Sequence, residues 1–501
     1  MMRKPATIAA LLAMTASPSY AEDPSMQDLL KEMKQLSGRL QVLEEDNAKL
    51  RKQLENQPSA PILAERVKVL EEHNAQLEAS LENDSISENE PELASRLKAV
   101  EAQALGMQKS AKVVEALEGV KADASFTSVW QKPSGLENNK SRVNYRADVT
   151  VSLPAGEMGD ITSTIFGHFR IGQGKGASEN MTAFSGPNAT SFQLGSALTP
   201  DTSAVMLAEA WYQAEIPLPL GGFKPQSKQM LTINFGKMDP FAFFDQNSAG
   251  NDETRQFLSS MFVHNALLDN PLAANVGADG YGFTPGARVA WRNNAAKPES
   301  YELSIGVFGS GPGAAFDGSF TKPFIIGQAE ATTRLLGDVG HYRLLAWTNG
   351  QAPTYVADEL ERHEGMGINF DQKVGDYTTI FGRYGKGWGR HLPFDQTVSL
   401  GAEFGGSYWN RAGDAIGIAL GANRVSSDFH REALTLDANS DGSADYGFKA
   451  SGIEKTMEAY YRYRINHQFE ITPDIQWISN PAGNTAANNV TVLGMRAQIN
   501  Y

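Results

Sequence analysis

The feature that most constrains this chain is a two-residue alternation of apolar and polar side chains that recurs from about residue 124 to residue 501. In its first segment, Val143 and Tyr145 alternate with Asn144 and Arg146. Successive side chains of a β-strand point to opposite faces of a sheet, so the pattern predicts strands with one apolar and one polar face. The alternating segments are 143–153, 161–171, 206–216, 231–237, 287–292, 303–308, 329–335, 366–371, 398–404, 457–465 and 493–501.

The connections between these segments alternate between short and long, which is typical of the two ends of a transmembrane β-barrel. A soluble β-sandwich is the alternative, but an alternating region of this length without a helical layer exceeds an ordinary sandwich. The mean hydropathy of −0.35 is compatible with a barrel, because only half of a barrel wall faces lipid. We therefore predict an all-β transmembrane barrel of about 16 antiparallel strands, wide enough to hold an aqueous channel.

The C-terminus supports a membrane destination. In the last ten residues, VLGMRAQINY, alternate positions from Leu493 to Tyr501 are apolar and the last residue is aromatic. Such a terminal strand is typical of the signal that the outer-membrane insertion machinery reads. We therefore expect outer-membrane lipid of a Gram-negative bacterium to surround the barrel.

The N-terminus predicts export. Arg3 and Lys4 precede an apolar run from Ile8 to Met14, and small residues follow up to Ala21. This arrangement indicates a secretory signal peptide over 1–21. No later stretch offers roughly 18 uncharged apolar residues, the minimum for a transmembrane helix.

Residues 22–118 follow another pattern, in which apolar side chains recur at alternating steps of three and four. This spacing predicts an α-helical coiled coil, which we expect in the periplasm, with breaks near 58–61 and 83–92. The segments 42–56 and 69–83 are a repeat, VLEEDNAKLRKQLEN and VLEEHNAQLEASLEN, with asparagine at the same a position. The predicted seam residues are Leu36, Leu40, Leu43, Asn47, Leu50, Leu70, Asn74 and Leu77.

A buried asparagine at position a fixes the register and the oligomeric state of a coiled coil. We therefore predict a homo-oligomer, and the seam permits either a trimer or a dimer. The alternative is a single amphipathic helix that packs on its own chain. If the coiled coil contacts the cell wall, the protein could instead serve as a structural tether, with the barrel as its anchor.

The alternation also assigns side chains to faces. Charged side chains on a lipid face would cost about 2–4 kcal/mol each at mid-membrane, so polar positions are assigned to the lumen. In the strand around 206–216 this leaves Met206, Ala208 and Ala210 facing lipid. The predicted pore-lining residues are Glu209, Trp211, Gln213, Glu215, Arg288, Arg292, Glu458, Tyr460, Arg462 and Arg464.

Such a lumen suits a polyhydroxylated solute. Arginine and glutamate form directional hydrogen bonds with hydroxyl groups, and aromatic faces pack on the apolar side of sugar rings. Any water-filled barrel has polar walls, however, so a general ion porin is the competing function. Within the lumen we expect Arg462 and Arg464 to help set selectivity, with Glu458 as a nearby counter-charge.

Other function classes lack their signatures. The net charge of −14 argues against nucleic acid as a partner, and no cysteine is present for disulfides. HExxH, GxSxG and phosphate-loop motifs are absent from the sequence, so we predict no enzymatic activity and no cofactor. A weak calcium candidate occurs in DANSDGSAD, but Phe448 stands where a calcium loop needs a bidentate glutamate. Its potential ligands are Asp437, Asn439, Asp441 and Asp445.

Three segments resemble a known family, the OprB-type carbohydrate-selective porins. They are GKMDPFAFFDQNSAGNDETRQFLSSMFVHNALLDNP at 236–271, AEAWYQ at 208–213 and EAYYRYRINHQFEITPDIQWISNPAGN at 458–484. The resemblance implies a barrel of about 16 strands, small saccharides as solutes, and a constriction lined by arginine and glutamate. It also implies segments that fold inward and narrow the pore, and 245–271 is the candidate. The coiled coil is not part of the core family pattern.

Overall fold

The computed structural model describes residues 68, 69, 71, 119–192, 204–220, 227–270, 282–335 and 337–501. Lys68, Val69 and Glu71 are helical. The predicted signal peptide and all eight predicted seam residues lie outside the described residues, so the coiled coil stays a prediction. In the described part, no helix is long and apolar enough to span a membrane.

Sixteen antiparallel strands form one closed barrel, in which each strand pairs with its neighbours in sequence and β1 pairs with β16. The predicted fold class is confirmed. The strands are β1 (Lys121–Ser134), β2 (Arg142–Met158), β3 (Ile161–Gln173), β4 (Ala204–Leu218), β5 (Gln229–Met238), β6 (Thr284–Ala296), β7 (Glu299–Phe308), β8 (Phe324–Leu335), β9 (Asp338–Pro353), β10 (Leu360–Val374), β11 (Thr378–Trp388), β12 (Phe394–Gly405), β13 (Ala415–Val425), β14 (Ile453–Arg464), β15 (Phe469–Ser479) and β16 (Val490–Asn500).

In the described part of the barrel unit, helical structure is confined to short turns between strands. Two are α-helical, α1 (Ser260–Val263) and α2 (Ser427–Glu432). Short 3-10 helices occupy Gly176–Asn180, Pro240–Ala242, Gly311–Ala315, Gly406–Trp409 and Pro481–Gly483.

The two chain ends of the barrel complete its closure. The Tyr501 N–H donates to the Ala124 carbonyl at 2.8 Å, and the Ala124 N–H donates to the Tyr501 carbonyl at 3.2 Å. Closure removes the unpaired strand edges that would otherwise be exposed to lipid. The first strand begins at Lys121, close to the predicted start of the alternation at 124.

The connections differ between the two ends of the barrel. The terminal end, which carries Lys121 and Asn500, has mostly short turns, such as 159–160, 297–298 and 375–377. The opposite end, called here the long-loop end, carries the three longest connections, at 174–203, 239–283 and 426–452. This asymmetry is typical of outer-membrane barrels.

The outer surface carries an apolar belt. Large apolar side chains are exposed at alternate strand positions, including Leu303, Ile305, Leu344, Leu400 and Leu420. The residues between them on the same strands are mostly buried, as Glu302 and Ser304 are on β7. A surface of this kind is favourable in a hydrocarbon environment and unfavourable in water.

A charge placed on this belt is expected to destabilise the inserted barrel. Leu303 is 55% exposed on β7, so Leu303→Arg should cost about 2–4 kcal/mol near mid-membrane. Denaturant unfolding of the protein in lipid vesicles measures this loss, with Leu303→Ala as the control for the lost side chain. Equal unfolding free energies for the two variants would show that Leu303 does not face lipid.

The described part of the connection between β5 and β6, called here the inward segment (239–270), lies inside the barrel. It hydrogen-bonds to strands all around the wall: β2, β8, β10, β11, β14, β15 and β16. One segment can contact strands on opposite sides of a closed barrel only from within. The sequence analysis predicted an inward fold for residues of this segment.

Buried aromatic rings pack the inward segment against the wall. The Phe257 ring lies 5.5 Å from the Phe381 ring and 5.0 Å from the Tyr460 ring, measured between centroids. Arg383, which is buried on β11, pairs with Asp245 at 3.2 Å and donates to the Phe262 carbonyl. The segment is therefore fixed by both apolar packing and an enclosed ion pair.

A second connection, between β3 and β4, also folds inward, which the sequence analysis did not predict. The N–H groups of Phe184 and Ser185 both donate to the buried Glu454 carboxylate, each at 2.8 Å. Ser260 N–H donates to the Gly186 carbonyl at 2.9 Å, which joins this connection to the inward segment. Two connections therefore narrow the lumen.

The structure corrects part of the face assignment on β4. The register between β3 and β4 shifts so that His168 lies opposite Glu209, whereas the next residue, Phe169, lies opposite Leu207. The skipped residue, Ala208, is buried, and Val205 and Leu207 are exposed. The bulge therefore reverses which residues of β4 face outward on the N-terminal side of Ala208. Leu207, rather than Met206 and Ala208, therefore lies on the outer face.

Candidate channel constriction

The tip of the inward segment is held rigidly at residues 251–256. The Gln256 side-chain oxygen accepts the N–H groups of Asn251 and Asp252, at 2.9 and 3.1 Å. Arg496 of β16 donates to the carbonyls of Glu253 and Gln256, at 2.9 and 2.8 Å. The charged side chains of the tip are thereby placed at fixed positions opposite the wall.

On one side of the tip, charges alternate from the segment to the wall. Arg146 of β2 contacts Glu253 at 2.7 Å and Asp148 at 2.8 Å. Asp148 also accepts a hydrogen bond from Arg170 of β3 at 2.6 Å. Burial alone would raise the pKa of the Glu253 carboxyl, but Arg146 and Arg170 outweigh burial and lower it, so Glu253 is ionised at neutral pH.

On the other side of the tip, Arg255 donates twice to Glu470 of β15, at 3.0 and 2.6 Å. Arg462 of β14 donates to the Arg255 carbonyl at 3.4 Å and lies 3.5 Å from the Glu403 carboxylate. These bonds extend the chain of charges across the tip to β12. The two sides together are called here the constriction network: Arg146, Asp148, Arg170, Glu253, Arg255, Glu403, Arg462 and Glu470.

The constriction network presents both signs of charge in a restricted space. Its side chains are exposed by between 3% for Glu470 and 36% for Arg255, so several reach solvent while held in ion pairs. Guanidinium groups supply fixed donors and carboxylates supply fixed acceptors. Such an array can hydrogen-bond a neutral solute with many hydroxyl groups without favouring ions of one sign.

A polar and aromatic patch adjoins the network on β3 and β4. His168 bridges Asp148 and Glu209, at 2.8 and 3.1 Å. The indole N–H of Trp211 donates to Glu209 at 3.1 Å, and the Trp211 ring stacks on the Phe166 ring at 4.6 Å. This patch joins two of the predicted pore-lining residues, Glu209 and Trp211, to the network.

The next predicted residues form a chain farther along the wall. Gln213 donates to Glu215 at 3.1 Å and accepts from Asn234 at 2.8 Å. The side-chain oxygen of Asn234 in turn accepts a hydrogen bond from Arg288, at 3.3 Å. Arg288 and Arg292 both bind the carboxylate of Glu302 on β7. Arg292 is the more accessible arginine, with 55% of its side chain exposed against 8% for Arg288.

The four predicted residues of β14 occupy different environments. Glu458 is fully buried and accepts the backbone N–H groups of Leu258 and Ser259, at 2.5 and 2.8 Å. Tyr460 is buried and donates to Glu403. The carboxylate beside Arg462 is thus Glu403, whereas Glu458 anchors the inward segment.

Arg464 lies at the terminal end of β14. It donates to the carbonyls of Asn466 and His467, at 3.2 and 3.4 Å, in the turn that follows. Its closest carboxylate in an ion pair is Glu470, at 3.8 Å. The pore-lining roles of all ten residues stay predictions.

Seven residues of the network were not singled out from the sequence: Arg146, Asp148, Arg170, Glu253, Arg255, Glu403 and Glu470. The alternation in the first hairpin does place Arg146, Asp148 and Arg170 on the polar face, which is the available signal. No comparable signal marks Glu253 and Arg255, because they lie outside any strand.

The calcium candidate forms an exposed loop. Asp437 accepts the N–H groups of Asp441 and Gly442, at 3.1 and 2.8 Å, and Asp445 accepts the Ala438 N–H at 3.1 Å. These carboxylates accept hydrogen bonds from backbone N–H groups of the same loop. Calcium binding there stays a prediction.

A known protein family and several solved structures are similar to this chain. The family model for the carbohydrate-selective porins of the OprB family matches residues 168–501. The high-pH structure of Pseudomonas putida OprB is similar over 77% of this chain and 96% of that chain, with 16% identity and a TM-score of 0.60. Its low-pH structure gives a TM-score of 0.45 at 13% identity, over 77% of this chain and 95% of that one. A mutant Rh. blastica porin gives a TM-score of 0.41 at 11% identity, over 76% of this chain and 100% of that one.

A search of curated proteins gave no sequence match. The family model nevertheless extends from β3 to the last strand and includes the inward segment and most of the constriction network. This chain therefore belongs to the OprB family of carbohydrate-selective porins.

Proposed function

We propose that this protein is a passive channel through which small saccharides diffuse across the outer membrane of a Gram-negative bacterium. The observation that carries the proposal is the constriction network, in which arginines and carboxylates alternate around the tip of the inward segment. The family membership supports a carbohydrate as the solute. The apolar belt and the closed ladder support a membrane location.

The physical reason is the match between the network and a neutral polyol. A sugar that enters the constriction loses hydrogen bonds to water, and the fixed donors and acceptors of the wall replace them. The stacked Trp211 and Phe166 rings offer an adjoining apolar face for the C–H side of a sugar ring. Ions of either sign meet charges that already have partners, which lowers the preference for one sign.

The topology supports an orientation. Outer-membrane barrels carry short turns on the periplasmic side, and both ends of the strand series lie at the end with short turns. We therefore place the N-terminal region, with its predicted coiled coil, in the periplasm. Self-association of that region and contact with the cell wall belong to the same proposal.

Liposome swelling tests the proposed function. Purified full-length protein is inserted into vesicles, and swelling rates are measured in iso-osmotic solutions of neutral saccharides of increasing size. We expect fast entry of small saccharides and a decline as the size of the solute approaches the width of the constriction. Absence of saccharide entry through correctly folded protein would contradict the proposal.

Two competing functions give different results. A general ion porin conducts ions but shows no block of its current by saccharides. A structural tether predicts that deletion of 22–118 detaches the envelope, whereas a channel predicts that the same deletion leaves permeability per barrel unchanged.

A further inference from the structure

Three potential metal ligands meet at the long-loop end, away from the constriction network. They are Glu359, which precedes β10, Glu361 at the start of β10, and His391 in the connection between β11 and β12. One ligand atom from each lies within 4.8 Å of the other two. In the part of the chain that the structure describes, no other group of three or more histidine and acidic side chains has this spacing.

The atoms that face one another lack hydrogen-bond partners. His391 Nδ1 lies 2.7 Å from Glu359 Oε2 and 3.6 Å from Glu361 Oε1. Both atoms are shielded from solvent, and their 2.7 Å contact is an ion pair that lacks hydrogen-bond geometry within the described part of the chain. Buried polar atoms are nearly always hydrogen-bonded, and a cation that both atoms ligate would satisfy them.

The spacing suits a cation between these atoms. Ligands at 2.0–2.1 Å around a tetrahedral zinc ion are separated by about 3.3 Å. That separation falls between the two observed distances from His391 Nδ1, 2.7 and 3.6 Å. With all three ligand atoms within 4.8 Å of one another, a cation between them would be ligated by both carboxylates and the imidazole.

The backbone and the neighbouring side chains fix the imidazole. His391 has φ +52°, a left-handed conformation that is unfavourable for a residue with a β-carbon. Its carbonyl accepts the Tyr355 N–H at 3.2 Å, and the Tyr355 ring packs edge-on against the imidazole at 5.4 Å. The Arg390 carbonyl, one residue earlier, is in contact with His363 Nε2 at 2.8 Å. The imidazole is therefore oriented before any ion arrives.

The second ring nitrogen has two polar neighbours. Glu432 Oε2, on α2, lies 3.9 Å from His391 Nε2, and Arg390 Nη2 lies nearer, at 3.5 Å. The one competing cation in contact with Glu361 is Arg390, at 3.7 Å, and 74% of its side chain is exposed. Its weak, exposed pairing is easily displaced.

We propose that Glu359, Glu361 and His391 form a binding site for a divalent transition-metal ion of the zinc class. Two carboxylates with one imidazole suit zinc, whereas calcium and magnesium prefer oxygen ligands alone. The ion joins the connection that follows β9 to the connection that follows β11. It thereby stabilises the mouth of the barrel and leaves the constriction network unchanged.

Zinc titration tests this site. Full-length, tag-free protein in detergent is freed of metal with a chelator and titrated with zinc by calorimetry, and bound zinc is measured after dialysis. We expect one saturable site per barrel. His391→Ala and the isosteric Glu361→Gln should each weaken binding by at least roughly tenfold, because even changes to the partners of ligands cost about that much.

Two controls separate the site from adventitious binding. Glu364→Gln changes an exposed carboxylate on the same strand, and His467→Ala removes an exposed histidine at the opposite end. Both should leave the affinity unchanged. Gel mobility before and after heating shows whether each variant is folded, and Glu361→Gln keeps the test valid if His391→Ala misfolds.

Three results would overturn the proposal. An ordinary ion pair between His391 and Glu359 predicts no stoichiometric zinc uptake by the wild-type protein. Equal zinc affinity in the wild type and in folded Glu361→Gln would place the bound ion elsewhere. Equal loss of affinity in Glu364→Gln would show that general negative charge attracts zinc.

Discussion

Replacing Glu458 with alanine is expected to release the inward segment and to increase the single-channel conductance severalfold. The fully buried carboxylate accepts the N–H groups of Leu258 and Ser259. Each buried N–H left without a partner costs about 1–3 kcal/mol, so the closed position of the segment loses about 2–6 kcal/mol. A loss of that size shifts the equilibrium of the segment by at least roughly tenfold.

Planar bilayer recordings measure this change, and vesicle swelling should extend to larger saccharides. Glu458→Gln retains one acceptor oxygen and should give an intermediate conductance. Glu299→Ala removes an exposed glutamate at the start of β7 and should have no effect. If folded Glu458→Ala has the wild-type conductance and size limit, Glu458 does not hold the segment in place.

Replacing both Arg170 and Arg462 with glutamine should make the channel prefer cations and weaken its interaction with saccharides. The two arginines pair with Asp148 and Glu403, which would then lack those cations. A unit charge about 4 Å from a permeating ion in water contributes about 1 kcal/mol, a roughly fivefold change in permeability for each charge removed. The reversal potential in a salt gradient measures the shift.

Removing carboxylates instead of arginines tests the sign of the shift in reversal potential. Asp148→Asn combined with Glu403→Gln should move the reversal potential toward anions. Arg362→Gln removes an exposed arginine that is 67% accessible outside the network, and should leave the potential unchanged. Shifts in the same direction for both double variants, or no shift in either, would exclude the network as the element that sets ion preference.

The sequence predicted most strands of the barrel, but not all of them. β1, β9, β11, β13 and β15 were not among the alternating segments. On β9, Leu345 and Trp347 are buried while Leu344 is exposed, so both faces carry apolar residues and the alternation is lost. The inner face is apolar here because the inward segment packs against it.

The same packing explains the glycine-rich sequence of β13. A β-carbon on Gly417 would lie 2.2 Å from the Tyr460 ring, and one on Gly421 would lie 2.6 Å from Met261. Small residues on the inner face leave room for side chains that come from the next strand and from α1. A period-two pattern cannot show this requirement, because it depends on residues distant in sequence.

The sequence indicated which types of residue line the inner face, but not which partners these residues bind. Alternation correctly indicated that β14 carries polar residues on one face, yet Glu458 binds backbone groups about two hundred positions earlier in the chain. Arg146 and Glu253 are likewise 107 positions apart. The bulge at Ala208 also lacks a glycine or proline that would signal it. These contacts follow from barrel closure and from the path of the inward segment.

In the proposed function, saccharides pass through the constriction at the tip of the inward segment. The most direct test records the ionic current through single wild-type channels before and after a neutral oligosaccharide is added. A solute that occupies the constriction must displace ions, so we predict reversible interruptions of the current whose frequency rises with saccharide concentration. Uninterrupted current at every concentration, from channels whose folding is verified, would contradict the account.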